Sequence, residues 1–182
     1  MKGGTKTRTQ QLRDAVKKLF IPYILSRGFH EDKRELFKPD PYGHLRRRFM
    51  RWNGNKLELL NIQFDKHGRP KFVLNFGVVP PEGVETLFEY VKQIEADVVH
   101  LPVTGRLYNS NRYLMRWFGF PLIRIPLIRD PSAEDIVRRA IRLFPQVEAW
   151  LREGKVGPNV RVYNEAPLAK PVCPSTSAKA TE

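Results

Sequence analysis

From residue 57 to residue 79 the chain keeps a period of two. Leu60, Ile62 and Phe64 fall on one parity and Asn61 and Gln63 on the other. Beyond Lys66-His67-Gly68-Arg69-Pro70, Phe72, Leu74, Phe76 and Val78 alternate in the same way with Asn75 and Gly77. This is the pattern of two antiparallel strands that pack one side on a core and turn the other to water. It predicts a hairpin with a greasy face and an accessible face rich in amides. Upstream, the sequence predicts strands over 34–38 and 45–52, separated by the Pro39-Asp40-Pro41-Tyr42-Gly43 turn. Asn53-Gly54-Asn55 is a tight-turn signal into a strand near Lys56. Together these make a four-strand meander, which Pro80-Pro81 ends.

Helical spacing replaces the period of two elsewhere. Leu12, Val16, Leu19, Phe20, Tyr23 and Ile24 predict a helix over 9–27, stopped by Gly28 and bent where Pro22 removes a donor. Val84, Leu87, Phe88, Val91 and Ile94 form a stripe that predicts a second helix over 82–96. Ser132 as cap and Glu134 and Asp135 in the first turn start a third, divided at Pro145 and ended by Gly154. Residues 98–101 and 122–128 read as extended segments, with an arginine- and aromatic-rich stretch of no clean period between them. Strands clustered between helices give an α+β class: an antiparallel meander of four to six strands with about three helices on one face. The expected organisation is a flexible basic segment over 1–8, a single domain over 9–157 and a Pro-rich, mostly disordered tail over 158–182, with 160–163 able to dock.

Charge adds a second feature. The 182 residues carry a formal net charge of +13. It is uneven: residues 1–56 hold 15 Lys/Arg against 5 Asp/Glu, whereas residues 57–100 hold 4 against 7. A basic first third suits a polyanion-facing side, and equally suits plain solubility. No apolar run is long and uncharged enough for a signal peptide or a membrane span. The one cysteine, Cys173, permits no internal disulfide, so the expected location is the cytoplasm, without membrane attachment.

The residues hold no recognisable catalytic apparatus. His30, His44, His67 and His100 are scattered, with no pair at metal-ligand spacing. No phosphate-cradling glycine loop and no nucleophile elbow occurs. Pro39-Asp40 followed by Glu58 suggests a metal-nuclease pattern, but the lysine needed two residues after the acid is replaced by Leu60. Neither a cofactor nor a metal is expected.

Several segments together carry a family resemblance: ILSRGFHEDKRELFK, NIQFDKHGRPKFVLNFGVV, Gly105-Arg106-Leu107, Trp117 and AEDIVRRAIRLFPQVEAWLREG. In their order and spacing over residues 9–153 they resemble an uncharacterised bacterial family of small α+β proteins, known as a domain of unknown function. The resemblance implies weight on Asn61, Gln63, Asn75, Gly77, Arg106 and Trp117, and no catalytic role for any of them. Some members of that family are candidate immunity proteins against secreted toxins. A charge of +13 sits poorly with inhibiting a nucleic-acid-cutting toxin, whose inhibitor should mimic phosphate.

The expected function is therefore a non-catalytic cytoplasmic binding module that meets a protein partner through its polar sheet face. Its expected contact residues are Arg47, Arg51, Asn61, Gln63, Asn75, Arg106, Arg112 and Trp117, since guanidinium forks, amides and an aromatic suit recognition of carboxylate or a protein edge. One of the two alternating sets, Arg47/Arg51 or Arg46/Arg48, must share the polar side. The same amides could instead satisfy neighbouring backbone, with Trp117 in the core. A second reading is nucleic-acid binding through Lys2, Lys6, Arg8, Arg13, Lys17, Lys18, Arg46 and Arg48. A third is a hydrolase of unrecognised type, which would need acids converging on a pocket.

Overall fold

Nine short strands and four α-helical segments account for most of the regular structure in the computed structural model, which describes residues 6–34, 45–86, 90–110, 113–121 and 130–164. Strands β1 (His30–Glu31), β2 (Arg46–Asn53), β3 (Lys56–Phe64) and β4 (Lys71–Val79) are followed by β5 (Val84–Glu85) and β6 (Tyr90–Val91). Then come β7 (Val103–Leu107), β8 (Phe118–Gly119) and β9 (Val160–Asn164). The main sheet runs β1-β2-β3-β4-β7-β9, with β8 also on β4, and every pairing in it is antiparallel. The class is α+β with an antiparallel sheet. The β2-β3-β4 meander has the register its sequence requires, with Leu60 opposite Phe76 and Asn61 opposite Asn75.

Helices α1 (Arg8–Ala15), α2 (Ile21–Ser26), α3 (Ala133–Leu143) and α4 (Pro145–Glu153) cover one face. Thr7 and Gln10 close a capping box at the start of α1, and Ser132 and Asp135 do so for α3. Pro22 does not break the first helix. A π turn over Val16–Phe20, in which the Ile21 amide reaches the Val16 carbonyl, widens the helix just before the proline. That spares the clash its ring would make with the preceding turn. Under these helices lies an aromatic core. Phe20 packs edge-on to Phe144 and tilted against Phe72, which stacks on Phe118 with ring centroids 5.3 Å apart. Each such buried side chain stabilises the fold by about 1.5–3 kcal/mol.

The described part of the stripe over 82–96 does not form a helix, and 98–101 does not form a strand. Proline at 80 and 81, and Gly83 in the left-handed region (φ 86°), start a run of short elements. The described part contains the β5–β6 pair and 3-10 turns at Gln93–Glu95 and Val98–His100. Tertiary demand overrides the periodicity here. Leu57, Leu59 and Val79 lie on the sheet face opposite the helices, and Val84, Val91, Ala96, Val98 and Leu101 bury them as a second, smaller core. The amide-bearing face is therefore covered over half its length instead of lying open. Gly77 makes this close approach possible, because a Cβ there would stand 2.2 Å from Leu101 Cδ1.

The expected strand over 34–38 falls mostly outside the described residues, and the extended segment over 122–128 falls wholly outside them. The ordered sheet reaches past 158, since β9 pairs with β7 from Val160 to Asn164 and forms the sheet's last strand. No helix among the described residues is long and apolar enough to cross a membrane.

Candidate binding pocket on the polar face of the sheet

Where the covering segment ends, the polar face opens as a cavity of about 330 Å³. Its floor is built by register. Arg48 on β2, Asn61 on β3, Asn75 on β4, Arg106 on β7 and Arg161 on β9 are successive cross-strand partners, so they form one row across five strands. Arg46 opposite Gln63 begins the next row. Arg46, Asn61, Gln63, Asn75, Thr104 and Arg106 supply the polar lining, and Val98, Val99 and Leu101 supply an apolar wall. Among the described residues, no aspartate, glutamate or histidine lines it.

The amides are oriented by one another. The Arg106 Nε donates to Asn75 Oδ1 at 2.5 Å, and Asn75 Nδ2 donates to Gln63 Oε1 at 2.9 Å. This relay consumes both ends of Asn75 and locks the Arg106 fork beside the cavity. Arg106 also lies over the Tyr163 ring, 5.2 Å from its centroid, and Arg161 is 5.1 Å from the same ring. The Tyr163 and Tyr108 hydroxyls are 2.6 Å apart. Burial first, and then that hydrogen bond, hold the Tyr108 phenol above its usual pKa although Arg106 pulls the other way. Arg48 is directed instead toward Asp97, 3.7 Å away at the edge of the covering segment. Asn61 Oδ1 shares with Nη1 of Arg48, its cross-strand partner, and with Asp97 Oδ2 the state of a buried polar atom that finds no hydrogen-bond partner among the described residues. Asn61 is only 3% exposed. A buried acceptor left unmet costs about 1–3 kcal/mol, so such a group on a cavity wall points to an occupant.

The expected contact residues divide. Asn61, Gln63, Asn75 and Arg106 converge on the cavity. Arg47 and Arg51 do not join them: with Phe49 opposite Leu60, the register turns 47, 49 and 51 toward the helices, and Arg46 and Arg48 take the polar side. Arg51 is a structural group. Its Nε donates to the buried Glu58 at 2.7 Å, its Nη1 to the Arg27 carbonyl at 2.6 Å, and its guanidinium stands 4.2 Å from the Phe29 ring centroid. Arg47 is exposed, 3.4 Å from Glu31, at a second cavity of about 200 Å³ on the helical side. Trp117 is half-buried beneath Lys71 Nζ, which is 5.0 Å from its ring centroid, and it does not line the larger cavity. Arg112 lies outside the described residues.

The basic residues considered for nucleic acid do not form one surface. Lys6 pairs with Asp14 (2.6 Å), Arg8 with Asp130 (2.5 Å) and Lys18 with Glu134 (2.9 Å), while Arg13 lies against Phe64. These, with Lys17, belong to the helical layer, whereas Arg46 and Arg48 are on the far side of the sheet. Lys2 is outside the described residues. Glu58 is 1% exposed and bonded to Arg51 and Asn53, so it converges with no second acid at the cavity. Among the described residues no group of three His, Cys, Asp or Glu side chains is placed to hold a metal ion.

Thr104, Arg161, Tyr163 and Tyr108 escaped the sequence reading. Their signal was an alternation too short to stand out: Thr104 and Arg106 alternate with Val103, Gly105 and Leu107, and Arg161 and Tyr163 with Val160 and Val162. Comparisons of the chain with protein-family models, with curated proteins and with solved structures find no match.

Proposed function

We propose that this protein is a non-catalytic, cytoplasmic binding module that holds an anionic group of a protein partner in the polar-face cavity. One observation carries the reading: Arg46 and Arg106 share a pocket of amides with the unmatched Asn61, and among the described residues no carboxylate lines it to neutralise them. Guanidinium forks form their strongest hydrogen bonds with carboxylate or phosphate oxygens. The Arg106–Asn75–Gln63 relay fixes one fork in advance, which lowers the ordering cost of binding. A discrete concavity suits a single inserted group better than a long polyanion. In the helical layer Lys6, Arg8 and Lys18 are each paired with a carboxylate.

The test is titration of the full chain with inorganic phosphate and with acetate against chloride at constant ionic strength, read by chemical shifts or by melting temperature. Arg46→Ala and Arg106→Ala should each weaken anion binding about tenfold, and Arg47→Ala should leave it unchanged. Binding that survives both substitutions would overturn the assignment of the site.

A further inference from the structure

We infer that the group received by this cavity is the C-terminal residue of a partner polypeptide. The inference rests on the binding reading above and names its ligand. Three demands meet within about 330 Å³, near the lower end of the size range of ligand clefts. Arg46 and Arg106 ask for an anion. The Oδ1 of Asn61 is an acceptor without a donor, since the unmatched Nη1 of Arg48 across the strand leans to Asp97 and does not reach it, and an occupant that brings an N–H or O–H satisfies it. Val98, Val99 and Leu101 ask for an apolar surface, and the Gly77 approach holds Leu101 flat against the sheet.

The last residue of a peptide meets all three at once. Its carboxylate lies two bonds from its own amide nitrogen, and its side chain departs from the atom between them. A carboxylate borne on an internal Asp or Glu would need the chain to enter and leave beside it. A terminus enters once. A phosphate answers the arginines but has nothing to place on the valines. Breadth fits as well. Arg48 and Arg106 lie three strand spacings apart in the same row, roughly 14 Å at the usual spacing, and Arg46 is one row along on the strand of Arg48. A carboxylate seated over β3 and β4 can be reached from both flanks. The half-exposed Val99 (53%) then lies at the mouth, where the preceding residues of the partner would leave.

The experiment uses the full chain and four probes: acetyl-Ala-Ala-Ala-Leu with a free carboxylate, its C-terminal amide, its ester analogue in which oxygen replaces the last N–H, and an octathymidylate. The free acid should bind best. Amidation should cost about tenfold and the ester about fivefold. Asn61→Ser should abolish the difference between acid and ester, and Arg106→Ala the difference between acid and amide. Melting temperatures of both variants establish that they are folded, and the acid–amide–ester comparison on the unaltered chain needs no variant. Equal binding of acid and amide, or an ester penalty that persists in Asn61→Ser, would refute the inference. If phosphate binds through Arg46 and Arg106 while the three peptides are indistinguishable, the anion site stands and its assignment to a chain terminus falls. If neither phosphate nor peptide binds, both fall. Octathymidylate that binds through Arg46 and Arg106 where the peptides do not would replace the peptide by a single-stranded nucleic acid.

Discussion

Replacing Arg51 by alanine should destabilise the fold by about 3 kcal/mol while leaving ligand binding intact. The magnitude follows from what the guanidinium touches. Its Nη2 stands 2.5 Å from Glu58 Oε2 and its Nη1 3.7 Å from Glu148 Oε1. The Glu58 side chain is 1% exposed and that of Arg51 18%. Removing one partner of a buried ion pair costs about 3–5 kcal/mol, because the other is left desolvated. Two bonds moderate the loss. Asn53 Nδ2 still donates to Glu58 at 2.9 Å, and Arg27 Nε still donates to Glu148 at 3.0 Å. Losing the Arg27 carbonyl bond and the stacking on Phe29 works the other way. The lower end of the range is therefore expected. For a chain of this size it lowers the melting temperature by roughly 6–12 °C. Urea titration at neutral pH measures it directly, and added salt should change the loss little, since a buried pair is poorly screened. The double variant Arg51→Met with Glu58→Leu should recover most of the loss, as an apolar replacement leaves no orphan. A single variant within about 0.5 kcal/mol of the parent would refute this reasoning, which separates real burial from a surface pair worth little.

Asp65 gives a pH signature. Burial resists its ionisation, but hydrogen bonds from Arg69 and from the His67 amide, with the charges of Lys71 and Arg69, outweigh that and hold its pKa at about 2. Because the folded value lies below the unfolded value of about 3.9, its contribution is fully present above pH 4 and is lost as pH falls toward 2; acid titration of stability should flatten across that window in Asp65→Asn. Ser132→Ala removes the acceptor of the Asp135 amide (3.1 Å) and the α3 capping box, and should lower stability by about 1 kcal/mol in a denaturant midpoint. Gly77→Ala should force the Leu101 side chain to rotate into the cavity, reducing phosphate and peptide affinity at least fivefold with a stability loss of no more than about 2 kcal/mol; a variant that binds normally would refute the role given to Leu101.

The elements legible in the sequence are those fixed by their own residues. The β3–β4 hairpin follows from strict alternation, and the start of α3 from Ser132 and Asp135, whose side chains bond within one turn. The segment from 80 to 101 was illegible because its stripe of apolar residues has two physical solutions. A helix and a series of short turns can both bury Val84 and Val91; what selects the turns is a distant surface, the Leu57–Leu59–Val79 patch. The choice between the two arginine sets on β2 failed for a related reason. Phe49 lies between Arg47 and Arg51, while Met50 and Trp52 accompany Arg46 and Arg48, so both parities contain apolar residues and neither reads as the wet side. That ambiguity is physical, since both faces of β2 pack against something: Phe49 in the helical core and Met50 against the smaller one.

The limits of the pocket were nonetheless written along β3. Leu57, Leu59, Asn61 and Gln63 share a parity, so a single sheet face changes from apolar to amide after the second residue of that set. A face that is greasy at one end cannot be left in water over that end, and an amide face cannot be buried without partners at the other. Both constraints hold together only if something covers Leu57 and Leu59 and stops before Gln63. The covering segment does this, ending at Leu101 just where the chain turns into β7 to deliver Thr104 and Arg106. The cavity is thus the step between a covered half-face and an uncovered one. Asn61, the first amide past the step, is buried, and its Oδ1 meets no donor among the described residues. That position makes it the residue from which to read what the pocket holds.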